Sequence, residues 1–236
     1  MKIGGLQKVT LLDFPAQIGA IVFTKGCNFR CPFCFNRDLV LDKTPTVSQS
    51  TILAFLKKRK GILDGVVLTG GEPLLQENLE QFIKKVRRLG FKVKLDTNGT
   101  SPDLLKDLLE RKLVDYVALD YKAPLDKSYA QAIGKKEFDF RIINQSIKIL
   151  LKSKTPFELR TTIVPGIHDQ KKLVKMARQL KGLLGKKRPS WYWQNFQAKN
   201  CLKRDFEKIK PYTKIGLERF LVAAKRNYPE IKLRPS

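Results

Sequence analysis

Four cysteines, one histidine and 22 acidic side chains are few for 236 residues, and each scarcity closes off a class of protein. Four cysteines are too sparse for a disulfide framework, and no apolar leader opens the chain. No stretch approaches the roughly 20 apolar residues that a membrane span needs. A soluble, cytoplasmic protein with no membrane partner is therefore expected, its free thiols suited to a reducing compartment. The sequence shows no internal linker, no low-complexity tract and no polar triad for acid-base or nucleophilic catalysis. An apolar content of 42% fills the core of one domain, 1–236, with a body over about 15–200 and a C-terminal helix over about 211–227.

Three of the four cysteines share one loop, Cys27-Asn28-Phe29-Arg30-Cys31-Pro32-Phe33-Cys34. Thiolates held that close together bind metal. Cys201, in Lys199-Asn200-Cys201-Leu202, could complete an all-cysteine zinc site, but structural zinc usually takes two C-x2–4-C knuckles and only one is present. A four-iron four-sulfur cluster normally takes four cysteines. Three, namely Cys27, Cys31 and Cys34, leave one iron open to coordinate a small molecule.

Apolar runs alternate with amphipathic helices along the rest of the chain. Strands are expected at Ile18–Thr24, Val66–Leu68, Val93–Leu95, Tyr116–Leu119, Phe157–Val164 and Trp191–Gln194. Helices are expected from Ser48 or Ser50 through Arg59, and on the stripes Leu79, Phe82, Ile83, Val86 and Leu104, Leu105, Leu108, Leu109, the latter opened by Ser101-Pro102. Three more follow on Ile143, Ile147, Leu150, Leu151, on Leu173, Ala177, Leu180, and on Leu217, Phe220, Leu221, Ala224. Six strand-helix units imply an α/β fold with a parallel sheet and outer helices. Each remaining motif falls at the C-terminal end of an expected strand, where α/β barrels carry reactive groups.

The C-x3-C-x2-C spacing, with Phe33 before the last cysteine, closely resembles the cluster motif of the radical S-adenosylmethionine (SAM) enzymes. Gly70-Gly71-Glu72-Pro73, Leu95-Asp96-Thr97-Asn98-Gly99 and Leu119-Asp120-Tyr121-Lys122 follow in the order and approximate spacing of glycyl-radical-enzyme activases. Leu12-Asp13-Phe14-Pro15 and Phe23-Thr24-Lys25-Gly26-Cys27 look most like the activating proteins of anaerobic ribonucleoside-triphosphate reductase. The resemblance implies a sheet curved into a partial (β/α)6 radical SAM barrel. It also implies reductive cleavage of SAM to a 5'-deoxyadenosyl radical, which takes hydrogen from a glycine of a partner enzyme. An electron donor such as flavodoxin or ferredoxin is implied with it. No residue beyond the cofactors is expected to be catalytic.

Residue by residue, the resemblance carries Gly70, Gly71 and Glu72 to the SAM amino group, and Phe33 and Cys34 to the adenine. Asp96, Thr97, the Ala118 carbonyl and Asp120 are carried to a monovalent cation, with Asn98, Tyr121 and Lys122 among the SAM contacts. On the fifth strand period two puts Glu158, Arg160 and Thr162 on one face, so a buried Arg160 needs an anion, either the SAM carboxylate or Glu158. The chain departs from the family at Phe35 and at Gln197, where related proteins carry His. His168 beside Asp169 is expected at the surface or capping a helix.

Lysine and arginine outnumber acidic residues 47 to 22, leaving a net charge of +25. The excess is scattered over Lys57-Lys58-Arg59-Lys60, Lys84-Lys85, Arg87-Arg88, Lys135-Lys136, Lys171-Lys172 and Lys186-Lys187-Arg188, mainly on polar helix faces. Solvated lysines account for this. A docking surface for an acidic protein is the other reading, and nucleic acid is not the expected partner. Alternatives are activation of another glycyl radical enzyme, of the pyruvate formate-lyase type, another radical SAM modification, and, remotely, a zinc-containing RNA-binding module.

Overall fold

The computed structural model describes residues 1–185 and 187–234. Its strands are β1 (Ile3–Thr10), β2 (Gly19–Thr24), β3 (Gly65–Gly70), β4 (Lys92–Thr97), β5 (Tyr116–Asp120), β6 (Phe157–Ile163), β7 (Trp191–Asn195) and β8 (Ile231–Leu233), and their order in the sheet is their order in the chain. The helices are α1 (Arg37–Val40), α2 (Gln49–Lys57), α3 (Leu79–Arg88), α4 (Pro102–Glu110), α5 (Ser128–Ala132), α6 (Arg141–Lys152), α7 (Gln170–Leu184) and α8 (Lys214–Lys225). The class is α/β, as the alternation of patterns implies. The chain divides into two compact units, one of residues 1–28, 38–118 and 153–156, the other of 29–37, 119–152 and 157–236.

In the first unit β2, β3 and β4 pair in parallel, with Ala20 beside Val66 and Val66 beside Val93. Ala20, Val22, Val66, Val67, Leu68 and Leu95 are buried, the two-sided burial that gives parallel strands continuous apolar runs. α3 turns Leu79, Phe82, Ile83 and Val86 inward, each contributing about 1.5–3 kcal/mol on full burial. The Ser48 hydroxyl caps α2 by accepting the Thr51 N–H. Ser101 stands at the N-cap of α4 without a side-chain capping bond, and Pro102 opens the first turn. Leu104 is only half-buried, so the inward stripe of α4 is Leu105, Leu108 and Leu109.

In the second unit β6, β7 and β8 pair in parallel, Leu159 beside Trp191 and Trp191 beside Ile231. Trp191 lies edge-on to Trp193 and Tyr228, and all three rings are fully buried. Asp169 caps α7 by accepting the Lys172 N–H at 2.8 Å, and Thr213 caps α8.

Two strands escape the sequence pattern. β1 pairs antiparallel with β2 and buries only Ile3 and Thr10, so it carries no clean alternation. β8 is three residues long. The expected helix to Arg59 ends at Lys57. Among the described residues no helix is long and apolar enough to cross a membrane. Lys186 lies outside the described residues, whereas Lys84 pairs with Glu80 and Arg87 with Asp115.

Candidate functional site

β2 ends at Thr24, and the chain turns through Lys25 and Gly26 into the cysteine loop. The turn is held by polar contacts. The Gly26 N–H donates to the Leu39 carbonyl at 2.8 Å, and the buried Lys25 ammonium meets Asp42 at 2.7 Å and Thr46 Oγ1 at 3.2 Å. Hydrogen bonds from Lys25 and then Lys2 hold the Asp42 carboxyl below its ordinary range. Gln76 Nε2 donates to the Lys25 carbonyl at 2.9 Å.

Gly70 and Gly71 are needed here by backbone packing. Gly70 has φ +113°, and a Cβ on Gly71 would overlap the Gly26 carbonyl. The Gly71 and Glu72 N–H groups donate to the Thr24 and Gly26 carbonyls at 2.9 and 2.8 Å. The end of β3 is thus laid against the turn before Cys27.

Glu72 is 1% exposed. Its Oε1 accepts the Thr97 hydroxyl at 2.7 Å and the Leu74 N–H at 3.1 Å, and Oε2 accepts the Asn98 N–H at 2.7 Å. The carboxylate expected at the SAM amino group therefore fastens the end of β3 to the end of β4. Asn98 then turns its amide on the loop, donating to Asn28 Oδ1 at 2.9 Å and lying 3.8 Å from Cys27 Sγ. Asn28 donates in turn to Thr100 Oγ1 at 2.8 Å. Asn28 and Thr100 had no signal in the sequence beyond their place in the motifs.

Asp96 is buried on β4 and paired with the buried Lys94 ammonium two residues earlier, which also lies over the Tyr116 ring at 5.9 Å. Ala118 is buried in β5.

In the second unit the loop continues through Cys31, Phe33 and Cys34. The Arg30 N–H donates to the Ile133 carbonyl at 2.8 Å, and Gly134, at φ +67°, leaves no room for a Cβ beside the Arg30 carbonyl. Phe29 packs edge-on to Phe138 at 5.4 Å. The Cys34 N–H donates to the Cys31 carbonyl at 3.0 Å. Burial pushes the Cys34 thiol up, against the Asn36 N–H and the Lys122 charge, which favour thiolate. None of the four cysteines forms a disulfide.

Asp120 sits between two cations, Lys122 Nζ at 2.9 Å and Arg160 at 3.1 Å. Burial raises its carboxyl, but Lys122 and Arg160 outweigh it and the group is held below the ordinary range. Burial alone would lower the Lys122 ammonium, yet Asp120 and Cys31 drive it up, so it is fully charged. Glu158, offered as the partner of Arg160, instead meets Arg234 at 2.6 Å. The two aspartates assigned to a monovalent cation are each paired with cations of the chain itself, Asp96 with Lys94 and Asp120 with Lys122 and Arg160.

Tyr121 is buried and faces α7, its hydroxyl donating to Gln179 Oε1 at 3.1 Å and its N–H to the Arg160 carbonyl at 2.8 Å. One other expectation is corrected. His168 is 1% exposed and caps nothing, since the cap of α7 is Asp169. Gln197 is exposed, and its carbonyl accepts the Cys201 thiol at 3.8 Å.

The Radical SAM superfamily model matches residues 21–178. The chain belongs to the radical SAM superfamily. It is 32% identical over 88% of its length, and 85% of the relative, to a candidate glycyl-radical enzyme activating enzyme of Methanocaldococcus jannaschii. It is 31% identical to the pyruvate formate-lyase-activating enzyme of Staphylococcus epidermidis over 69% of each chain. The fold is similar to a domain of pyruvate-formate lyase-activating enzyme from Bacteroides vulgatus, with a TM-score of 0.58 at 15% identity, covering 73% of this chain and 99% of that one. The protein is therefore a radical SAM enzyme of the glycyl-radical-enzyme activase family, and that family uses a four-iron four-sulfur cluster with SAM. The residues fit these cofactors. Three thiols carry no disulfide, an amide N–H is aimed at Cys27 Sγ, and a lysine charge acts on Cys31 and Cys34.

Proposed function

We propose that this activase installs the glycyl radical of anaerobic ribonucleoside-triphosphate reductase. The observation that carries the choice of partner is the opening segment Leu12-Asp13-Phe14-Pro15, which resembles the activating proteins of that reductase. Phe14 of the segment packs with Ile21 and Val67, and Asp13 accepts the Thr10 hydroxyl at 2.5 Å, so it is a built part of the fold. A pyruvate formate-lyase type partner is the second reading, favoured by the Staphylococcus epidermidis relative.

Cys27, Cys31 and Cys34 would hold the cluster, which with SAM would supply one-electron reductive chemistry. The chain's own residues bind and orient. Asn98 donates toward Cys27 Sγ, and hydrogen bonds to cluster sulfurs raise the potential. Lys122 and Arg160 share one carboxylate, so together with Asp120 they carry a net positive charge that suits the SAM carboxylate. Gly70 and Gly71 offer backbone to the SAM amino group, and Phe33 with Cys34 borders the adenine, Gln197 standing beyond. A cytoplasmic flavodoxin or ferredoxin supplies the electron.

The test is anaerobic incubation of the reconstituted enzyme with SAM, reductant and either candidate partner, read by electron paramagnetic resonance. The reading predicts a glycyl doublet on the reductase and none on a formate-lyase type enzyme. The reverse pattern selects the second reading.

A further inference from the structure

The stretch after β7 runs along the second half of the cysteine loop and is bonded to it three times. The Leu202 N–H donates to the Cys34 carbonyl and the Lys203 N–H to the Pro32 carbonyl, each at 2.9 Å. Asn200 Nδ2 donates to the Phe35 carbonyl at 3.1 Å. Three carbonyls of the Pro32–Phe35 run are therefore fixed by residues more than 160 positions away in sequence.

The clasp is itself held. Asn200 adopts φ +52°, a left-handed conformation that asparagine tolerates better than most residues, and its amide thereby reaches the loop. Cys201 is fully buried, and its N–H donates to the Glu207 carboxylate at 2.9 Å from a short 3₁₀ turn, Arg204–Lys208. The Cys201 thiol lies 3.8 and 3.9 Å from the Gln197 and Lys199 carbonyls. Glu207 therefore braces the middle of a four-residue ribbon whose two ends grip the loop.

We propose that Asn200 and Glu207 are positioning residues of the cofactor loop. By holding the Asn200–Lys203 ribbon they fix the peptides on either side of Cys34, and with them the orientation of its Sγ and of the Phe33–Phe35 segment. A ligand loop works only when its supporting contacts lock it to within a fraction of an ångström. The exposed amide of Asn200 and the carboxylate of Glu207 supply that lock through backbone groups, the Phe35 carbonyl and the Cys201 N–H. The inference rests on the assignment of Cys34 as a cluster ligand.

The experiment compares wild type, Cys34→Ala, Asn200→Gly, Glu207→Ala and Glu207→Gln, each reconstituted with iron and sulfide without oxygen. Asn200→Gly keeps the left-handed backbone at no steric cost and deletes the amide contact, while adding backbone freedom to the ribbon. Glu207→Gln keeps an acceptor for the Cys201 N–H, whereas Glu207→Ala removes it. SAM affinity is read by calorimetry, and the reduced cluster by its electron paramagnetic resonance spectrum before and after SAM. Loss of one net hydrogen bond from the support predicts SAM affinity about tenfold weaker in Asn200→Gly and Glu207→Ala. Their spectra should broaden while iron content stays near wild type, and Glu207→Gln should restore both.

Wild-type affinity and spectra in both Asn200→Gly and Glu207→Ala overturn the proposal. So does equal weakening by Glu207→Gln and Glu207→Ala, which makes the effect one of charge. Should Glu207→Ala fail to fold, Asn200→Gly at its exposed position decides alone. A Cys34→Ala protein that still loads a full cluster refutes the ligand assignment beneath the proposal, and wild-type loading separates that failure from failure of the clasp.

Discussion

His168 and Lys122 are joined through one hydrogen bond, His168 Nε2 donating to the Lys122 carbonyl at 2.9 Å. His168 Nδ1 accepts the Val164 N–H at 3.0 Å, which fixes the neutral tautomer with its proton on Nε2. The ring thus ties the turn after β6 to the residue that pairs with Asp120. Burial first, and then Lys172, push the imidazole down to about 4, against the hydrogen bonds that raise it.

A depressed pKa means that the unfolded chain binds more protons, so the stability His168 contributes is complete above 6.5 and lost as pH falls toward about 4. The size is ~3 kcal/mol. Urea unfolding of wild type at pH 7 and pH 5 should show a drop in stability that is smaller in His168→Gln, whose amide can keep a donor and an acceptor. Equal slopes in the two proteins would remove His168 from the account.

The glycines separate by what a Cβ would meet. Gly71→Ala drives a methyl into the Gly26 carbonyl beside Cys27, so it should cost several kcal/mol, on the order of an overpacked core. Gly182→Ala in α7 meets nothing within 4 Å, and should stabilise by about 0.5–1 kcal/mol. Thermal unfolding of both reads the contrast; a harmless Gly71→Ala would show that the turn is not packed as described.

Lys94 beside Asp96, and Lys122 with Arg160 beside Asp120, supply the positive charge that a monovalent cation would bring. SAM cleavage in potassium, in sodium and in a bulky organic cation at equal ionic strength should therefore proceed at one rate. A requirement for potassium would show that the lysines move away and that Asp96, Thr97, Ala118 and Asp120 hold an ion after all.

The class of fold and the three thiols were legible because their signals are local. The expected strands reappear as β2 to β7 within a residue or two, since an apolar run bounded by turn residues has few other readings. β1 was missed because Gly4, Gly5, Gln7 and Lys8 give it no alternation, and β8 because three residues carry no period. Side-chain partners were the least legible. Glu72 in a motif gave no hint that both its oxygens fasten β4, and Arg160 met Asp120 where Glu158 was equally plausible from the strand alone. Asn200 reaches Phe35 across more than 160 residues of sequence, a distance over which no periodicity speaks, and Glu207 acts through Cys201 on the same ribbon.

The charge of +25 makes a kinetic prediction. Long-range attraction to an acidic partner is screened over about 8 Å at physiological salt, so glycyl radical formation should fall steeply from low to high salt while SAM cleavage without partner hardly changes. Parallel loss of both activities, or radical formation indifferent to salt, would make the charge compositional.

Cluster ligation by Cys27, Cys31 and Cys34 without Cys201 is the claim on which the rest depends. Each cysteine is replaced by alanine in turn, the protein is reconstituted without oxygen, and iron, sulfide and 5'-deoxyadenosine are measured. Cys27→Ala, Cys31→Ala and Cys34→Ala should each lose the cluster and SAM cleavage, and Cys201→Ala should keep both. A folded Cys201→Ala protein without a cluster, or any of the other three with one, would contradict the account.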